Sequence, residues 1–238
     1  MDSSGARRVQ LLLLAIVGVA AVGAGVLLAT GGTVDLSSVG LFGGGQTKQS
    51  TANASRAPAR QADSVEAFSK KYGDPPDATA GRIRIPSISV NAPLSYRAVT
   101  GEVMPEPGGP TDVAYYDMSK FPGTGGVPGG GGNAIFGGHV DLRRKISYAG
   151  NVEYQGPAVF WPLDKLRPGD VVEVDYKGKT YRYKVSAVNE LSAETADWSK
   201  VWSSAVKTDT ITLFTCGGTF NAATHEYSTR LIVRAERA

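Results

Sequence analysis

The sequence has very little of what disulfides and metal sites are made from. Its 238 residues include one cysteine, Cys216, and two histidines, His139 and His225. A single cysteine excludes an intramolecular disulfide. No cysteine and histidine cluster has the spacing of a zinc site, and no acidic cluster suggests a calcium site. The sequence therefore predicts neither a metal nor another cofactor.

A strong charge of one sign is also missing. The formal net charge is +3, and acidic and basic residues are well mixed along the chain. This balance argues against a groove for nucleic acid, which needs a concentrated basic surface. The glycine-rich runs lack the lysine and Ser/Thr of a phosphate-binding loop. Neither nucleic acid nor a nucleotide is therefore an expected partner.

The N-terminal region predicts a membrane anchor. Residues 9–29 hold a single polar side chain, and a membrane-spanning helix needs about 20 apolar residues. Arg7 and Arg8 precede this run, and the next basic residue is Lys48. By the positive-inside bias, residues 1–8 are cytoplasmic and the rest of the chain is extracellular. A cleaved secretory signal is the alternative, but its apolar region is usually shorter.

The composition then changes twice along the chain. Residues 30–62 consist mainly of small and polar residues, so they predict a flexible linker. Residues 63–76 are expected to hold one short helix, since apolar residues recur at helical spacing from Asp63 to Tyr72 before glycine and proline end the pattern. Residues 77–238 form the main domain, with enough chain for one core.

The main domain has the texture of an all-β protein. Short β-prone runs alternate with Gly, Pro, Asn and Asp, which is typical of a barrel or sandwich. Residues 176–180 predict a hairpin with Gly178 in its turn. The glycine-rich segment 121–132 is either a mobile lid or an exposed connection. The clearest predicted strands are 82–85, 113–116, 134–136, 171–176, 180–188, 210–215 and 229–235.

Cys216 is the candidate nucleophile. It ends the apolar run TLFTC at the predicted lip of a strand, and Gly217 and Gly218 follow at once. An unpaired thiol in an exported protein is either incidental or kept for its reactivity. A buried cysteine that packs as a small hydrophobe is the competing interpretation.

Thiol acyl transfer also needs a proton shuttle and a group that stabilises an oxyanion. His139 follows a short apolar run, and Arg230 opens the last predicted strand. Either residue also has a structural interpretation: His139 as a turn histidine hydrogen-bonded to Asp141, and Arg230 as a strand-edge charge. His225 is a rival base, but it lies in the polar segment 221–228, which is predicted to be a loop.

These residues carry a resemblance to the sortases, the cysteine transpeptidases anchored on Gram-positive cell surfaces. His139 lies in FGGHVD, Cys216 ends TLFTC and Arg230 lies in TRLIVRA, in the family's order. The resemblance implies a closed eight-stranded β-barrel with the cysteine and arginine strands side by side. The two glycines after the cysteine, with the anchored, glycine-rich composition, resemble class E or class F sortases.

The resemblance also implies a reaction. The Cys216 thiolate would attack the Thr–Gly carbonyl of an LPxTG-like signal at the C-terminus of a secreted protein. An amine from a cell-wall precursor, or a pilin lysine, would resolve the thioacyl enzyme. His139 would act as general acid and base, Arg230 would hold the carbonyl oxygen, and the Thr215 hydroxyl would support substrate or oxyanion.

Two other functions remain open from the sequence. A surface cysteine peptidase would need the same three side chains and pass the acyl group to water. A non-catalytic barrel that binds wall polymers or partner proteins would need only a buried, inert Cys216.

Overall fold

The computed structural model describes residues 59–101 and 103–238, with side chains from residue 65 onward. The predicted cytoplasmic segment 1–8 and anchor 9–29 lie outside the described residues, as does most of the predicted linker 30–62. Within the described part, no helix has the length and apolar character needed to cross a membrane.

The predicted closed eight-stranded barrel is confirmed. Its strand order is β1-β2-β3-β4-β9-β10-β8-β7, and β5 with β6 forms a separate hairpin. The elements in chain order are α1 (Ala59–Tyr72), β1 (Gly81–Ile85), β2 (Val90–Ala98), β3 (Val113–Asp117), β4 (Asn133–Gly137), β5 (Asp141–Ile146), β6 (Val152–Pro157), β7 (Val171–Tyr176), β8 (Lys179–Ser192), α2 (Trp198–Trp202), β9 (Thr210–Asn221) and β10 (Glu226–Arg237).

Strand alternation explains the barrel core. Along β7, Val172 and Val174 are fully buried while Glu173 is partly exposed, as a sheet with one buried face requires. The predicted hairpin between β7 and β8 is present, with Tyr176 paired to Lys179. Its turn residues both have positive φ, which is the type I′ geometry that suits the twist of a hairpin.

A second apolar cluster lies on the outer face of β3, β4, β9 and β10. Phe214 on β9 and Ile232 on β10 pack there with Trp202 of α2. The Phe214 and Trp202 rings meet edge to face, with centroids 5.2 Å apart. Because side chains alternate along a strand, Cys216 and Arg230 lie on this same outer face, two residues beyond Phe214 and two before Ile232.

The structure corrects the predicted limits of three elements. Helix α1 begins at Ala59, so Asp63 lies inside it and does not cap it. Cys216 does not close its strand, and Arg230 does not open one. Both strands continue into a hairpin because Gly218 adopts a φ of 74° and the pairing shifts register between Tyr227 and Thr229. The predicted loop 221–228 is therefore shorter in the structure, where only residues 222–225 form the turn of the hairpin.

The glycine-rich segment 121–132 is a connection and not a lid over the thiol. It leads into Asn133 at the start of β4, whereas His139 follows the opposite end of that strand. The segment is pinned at the far end, because the Gly125 amide donates to the Trp202 carbonyl at 2.8 Å and the Thr210 amide donates to the Gly132 carbonyl at 2.9 Å. The lid interpretation is wrong.

Candidate active site

Cys216 and Arg230 are cross-strand neighbours. Strands β9 and β10 are antiparallel, and Arg230 pairs directly with Cys216 in their register. Directly opposite residues in such a pair share a face, with Cβ atoms about 4.5–5.5 Å apart. The backbone therefore places the guanidinium beside the thiol.

His139 reaches the same place from the other side of β9. Strand β4 runs parallel to β9, and the last pair in their register is Gly137 with Phe214. The Gly138 amide donates to the Phe214 carbonyl at 3.2 Å, so the two chains stay in step beyond that pair. His139 thus follows alongside Cys216. The thiol, the imidazole and the guanidinium come from three adjoining segments at one end of the sheet, and their catalytic roles stay a prediction.

Arg230 is not a charge facing water. Its residue is only 6% exposed. Its Nη1 donates to the carbonyls of Tyr227 and Thr229, both at 2.9 Å. The Nε and Nη2 groups make no hydrogen bond to the described part of the chain.

The His139 imidazole is held in a buried position. Its Nε2 is inaccessible to solvent and has no hydrogen-bond partner among the described residues. The carbonyl of Pro107 favours the protonated form of the ring. The pKa of His139 is lowered to about 3. Burial is the main cause and the charge of Arg144 adds to it, whereas the Pro107 carbonyl acts in the opposite direction. The resting imidazole is therefore neutral at pH 7. In that form one ring nitrogen carries a proton and the other can accept one.

The thiol is also neutral in the resting site. Cys216 is partly exposed as a residue, which excludes a fully enclosed structural cysteine. Burial raises the pKa of its thiol; the positive charge of Arg230 opposes that rise, while the carboxylates of Asp141 and Glu106 add to it. At neutral pH the reactive pair of thiolate and imidazolium is thus a minority form.

The pH dependence of alkylation tests this balance. Because only the thiolate reacts, we expect iodoacetamide to modify Cys216 slowly at pH 7 and faster as the pH rises, with a midpoint above the usual range for cysteine. Arg230→Gln should move that midpoint upward and Asp141→Asn downward. The measurement is the alkylation rate against pH by intact mass. A midpoint below that of an ordinary cysteine, or no shift in either variant, contradicts the electrostatics described. Complete resistance to alkylation in the folded protein would instead favour the non-catalytic barrel.

Thr215 holds the segment that leads to His139. Its side chain is buried, and its hydroxyl donates to the Gly138 carbonyl at 2.8 Å. This bond fixes the residue that directly precedes His139. The hydroxyl thus makes a positioning contact in this structure, and its support of substrate or oxyanion stays a prediction.

Loss of this contact should be measurable. Thr215→Val keeps the side-chain volume but leaves the Gly138 carbonyl without its donor, so we expect the free energy of unfolding to fall by about 1–3 kcal/mol. Acylation should slow as well, because His139 is no longer fixed. Thr215→Ser keeps the hydroxyl and serves as the control. Urea unfolding of both variants checks the prediction, and equal stability of the two would count against it.

One segment beside the site is not predicted by the sequence. Residues 103–110, in the connection from β2 to β3, are clamped by Arg144 of β5. The Arg144 Nη1 bonds the Glu106 carboxylate, and its Nη2 donates to the Pro107 carbonyl at 3.0 Å. Met104, only 2% exposed, packs into the outer apolar cluster. No local pattern predicts these contacts, because they join residues far apart in the chain.

Two alternatives from the sequence are not seen. Asp141 does not accept a hydrogen bond from His139; both of its carboxylate oxygens contact the Tyr227 hydroxyl, at 2.9 and 2.8 Å. His225 is exposed near the tip of the β9–β10 hairpin with a φ of 58°. Tyr227, like Arg144, is a residue of the site that spacing in the sequence does not reveal.

Comparison with known proteins places the chain in a family. The Sortase domain model matches residues 83–238, a span that includes the thiol, the imidazole and the guanidinium. The search of curated proteins finds no match.

Solved structures similar to this chain are sortases of several classes. Sortase C1 from Streptococcus agalactiae is 21% identical, with 74% of this chain and 76% of that chain covered and a TM-score of 0.49. Sortase E1 from Streptomyces coelicolor, solved with a tripeptide in the active site, is 21% identical, with 69% and 91% covered and a TM-score of 0.47. A lid mutant of sortase A from Corynebacterium diphtheriae is 23% identical, with 79% and 82% covered and a TM-score of 0.46.

The expectation of class E or class F stays a prediction, because the similar structures span several classes. The family itself is shown by the domain model, which covers most of the sequence. This chain belongs to the sortase family and is an enzyme of the cysteine transpeptidase kind.

Proposed function

We propose that this sortase cleaves an LPxTG-like sorting signal between Thr and Gly and joins the new carboxyl end to an amine of a cell-wall precursor or a pilin. The observation that supports this most is the pairing of Cys216 with Arg230 on β9 and β10, with His139 arriving alongside from β4. A nucleophile, a proton shuttle and an oxyanion donor are the three groups that thiol acyl transfer requires.

Acylation is the first half of the reaction. The Nε2 atom of His139 takes the proton of the Cys216 thiol, the sulfur attacks the threonine carbonyl carbon, and the electron pair of the C=O bond moves onto oxygen. The Arg230 guanidinium stabilises this oxyanion. His139 then gives a proton to the departing glycine nitrogen through Nε2. The C–N bond breaks, and a thioester remains on Cys216.

The outer apolar cluster supports a substrate with apolar residues ahead of the threonine. Phe214 and Ile232 lead away from the thiol and guanidinium on the same face, but both are buried in the cluster that also holds Met104 and Trp202. Binding of the signal against Phe214 and Ile232 therefore displaces Met104, together with the segment 103–110 that carries it.

The acceptor decides between a transpeptidase and the hydrolytic alternative. The same three side chains serve both reactions, so the test is chemical. The full-length protein is incubated with LPxTG-type and LAxTG-type peptides, with and without triglycine. We expect a ligated product to replace the hydrolysed one as triglycine is added. Hydrolysis that is unaffected by triglycine would favour the surface peptidase.

We propose further that residues 9–29 anchor the enzyme in the cell membrane, with residues 1–8 cytoplasmic and the barrel outside. The proposal is supported by the length of the apolar run and by the two arginines that precede it. Immunoblotting of membrane and medium fractions tests it. We expect full-length protein in the membrane, and a shortened species in the medium would support a cleaved signal.

A further inference from the structure

Two carboxylates act on the thiol through their charge, and they differ in one respect. Both Glu106 and Asp141 raise the pKa of the Cys216 thiol through their charge. Glu106 is neutralised by an ion pair with Arg144. Asp141 is partly exposed and makes no ion pair in the described part of the chain. Of the two, Asp141 is thus the carboxylate without an ion-pair partner among the described residues.

Tyr227 ties this carboxylate to the catalytic strands. Its hydroxyl contacts both oxygens of Asp141, and its backbone carbonyl accepts the hydrogen bond from Nη1 of Arg230. One residue therefore holds a negative group on one side and a positive group on the other. Since Arg230 pairs with Cys216, Tyr227 links Asp141 to the arginine beside the thiol.

Amine attack on a thioester develops these two charges. As the nitrogen forms its bond to the acyl carbon, positive charge appears on nitrogen and negative charge on the former carbonyl oxygen. Arg230 is placed for the oxygen, but it repels the nitrogen. A cationic acceptor needs a negative partner at the same site.

We propose that Asp141, held by the Tyr227 hydroxyl, binds the ammonium group of the acceptor and makes the enzyme select cationic amines. This inference rests on the proposed function and specifies its second substrate. It assigns Asp141 contact with the substrate and Tyr227 the positioning of Asp141.

The step balances as follows. The bound ammonium loses one proton to solvent, and its lone pair forms the C–N bond while the C=O pair moves to oxygen. The nitrogen then gives a second proton to Nε2 of His139. Collapse of the oxyanion breaks the C–S bond, and the sulfur leaves with that pair and takes the proton from His139. The products are an amide, the free thiol and one released proton.

Two nucleophiles of different charge separate recognition from structure. Triglycine carries an ammonium at pH 7, whereas hydroxylamine is uncharged. The full-length wild type and Asp141→Asn are loaded with a sorting-signal peptide, and the ratio of transfer to hydrolysis is measured against the concentration of each nucleophile. We expect Asp141→Asn to lower the transfer efficiency to triglycine about tenfold or more, as for loss of a charged hydrogen bond, and to change transfer to hydroxylamine by less than about twofold.

Two further variants complete the test. Glu190 pairs with Leu231, so it lies on the opposite face of the sheet from Arg230, and Glu190→Gln is the carboxylate control, with no expected change in either ratio. Tyr227→Phe keeps the Asp141 charge and removes the hydroxyl that contacts it, so its transfer to triglycine should fall less than that of Asp141→Asn.

The outcomes distinguish this inference from the proposed function. Intact mass reports acylation of Cys216 in every sample. Acylation with equal losses for triglycine and hydroxylamine, or with no loss for either, overturns the role of Asp141 and leaves the proposed function standing. Absence of any adduct in the wild type overturns the proposed function and, with it, this inference.

Discussion

Cys216→Ala is expected to reduce both peptide cleavage and amine transfer to the background rate while the barrel stays folded. The substitution removes the only sulfur that can form the thioester, and removal of a covalent nucleophile costs several orders of magnitude in kcat. The fold should tolerate it, because Cys216 is partly exposed and its strand pairs on both sides through backbone bonds. The measurements are product formation by chromatography and thermal unfolding.

A matched control lies on the same strand. Thr219 is exposed on the far part of β9, so Thr219→Ala should retain the wild-type rate within about twofold and the same melting temperature. Residual cleavage by Cys216→Ala at more than about a thousandth of the wild-type rate would show that another group performs the attack.

Arg230→Ala is expected to slow acylation about 100-fold or more. The guanidinium is the one cation paired directly with the nucleophile's position in the strand register, and deletion of one oxyanion donor typically costs about 100- to 1000-fold in kcat. Arg230→Lys keeps the charge but loses the rigid fork of donors, so it should recover only part of the rate. The measurement is the single-turnover rate of peptide cleavage.

Arg234 offers an unusually close control for this substitution. It lies on the same face of β10, and its Nη2 donates to the carbonyls of Lys200 and Val201 at 3.0 and 2.9 Å, much as Arg230 binds two carbonyls. Arg234→Ala should lower stability but leave the acylation rate within about threefold. A loss for Arg230→Ala no larger than that for Arg234→Ala would make Arg230 a structural residue.

The barrel follows from local patterns where those patterns are strong. Strand β7 alternates without interruption, and its hairpin to β8 has a turn glycine, so its limits are predicted correctly. Strand β2 has no such signal, since Pro93 lies in its middle and, besides the antiparallel β1, it pairs with the parallel strand β3. The β5–β6 hairpin is missed because its strands are rich in charged residues and pack outside the barrel.

The site divides in the same way. Cys216, His139 and Arg230 stand out because a single thiol, a rare imidazole and a strand-bound guanidinium are uncommon beside short apolar runs. The contacts that surround these three side chains cannot be predicted from their spacing in the sequence, because they depend on the parallel register of β4 with β9. Arg144 clamps a segment that precedes it by a long stretch of chain. The depressed pKa of His139 comes mainly from burial, which only the fold determines.

The most direct measurement of the central claim is the intact mass of the enzyme during reaction with a sorting-signal peptide. The account predicts that the wild-type mass rises by that of the peptide's acyl part ending at threonine, with the adduct mapped to Cys216. Cys216→Ala should show no adduct, and Arg230→Ala should accumulate it slowly. An adduct on another residue, or turnover without any adduct on the thiol even after rapid quenching, would contradict the account.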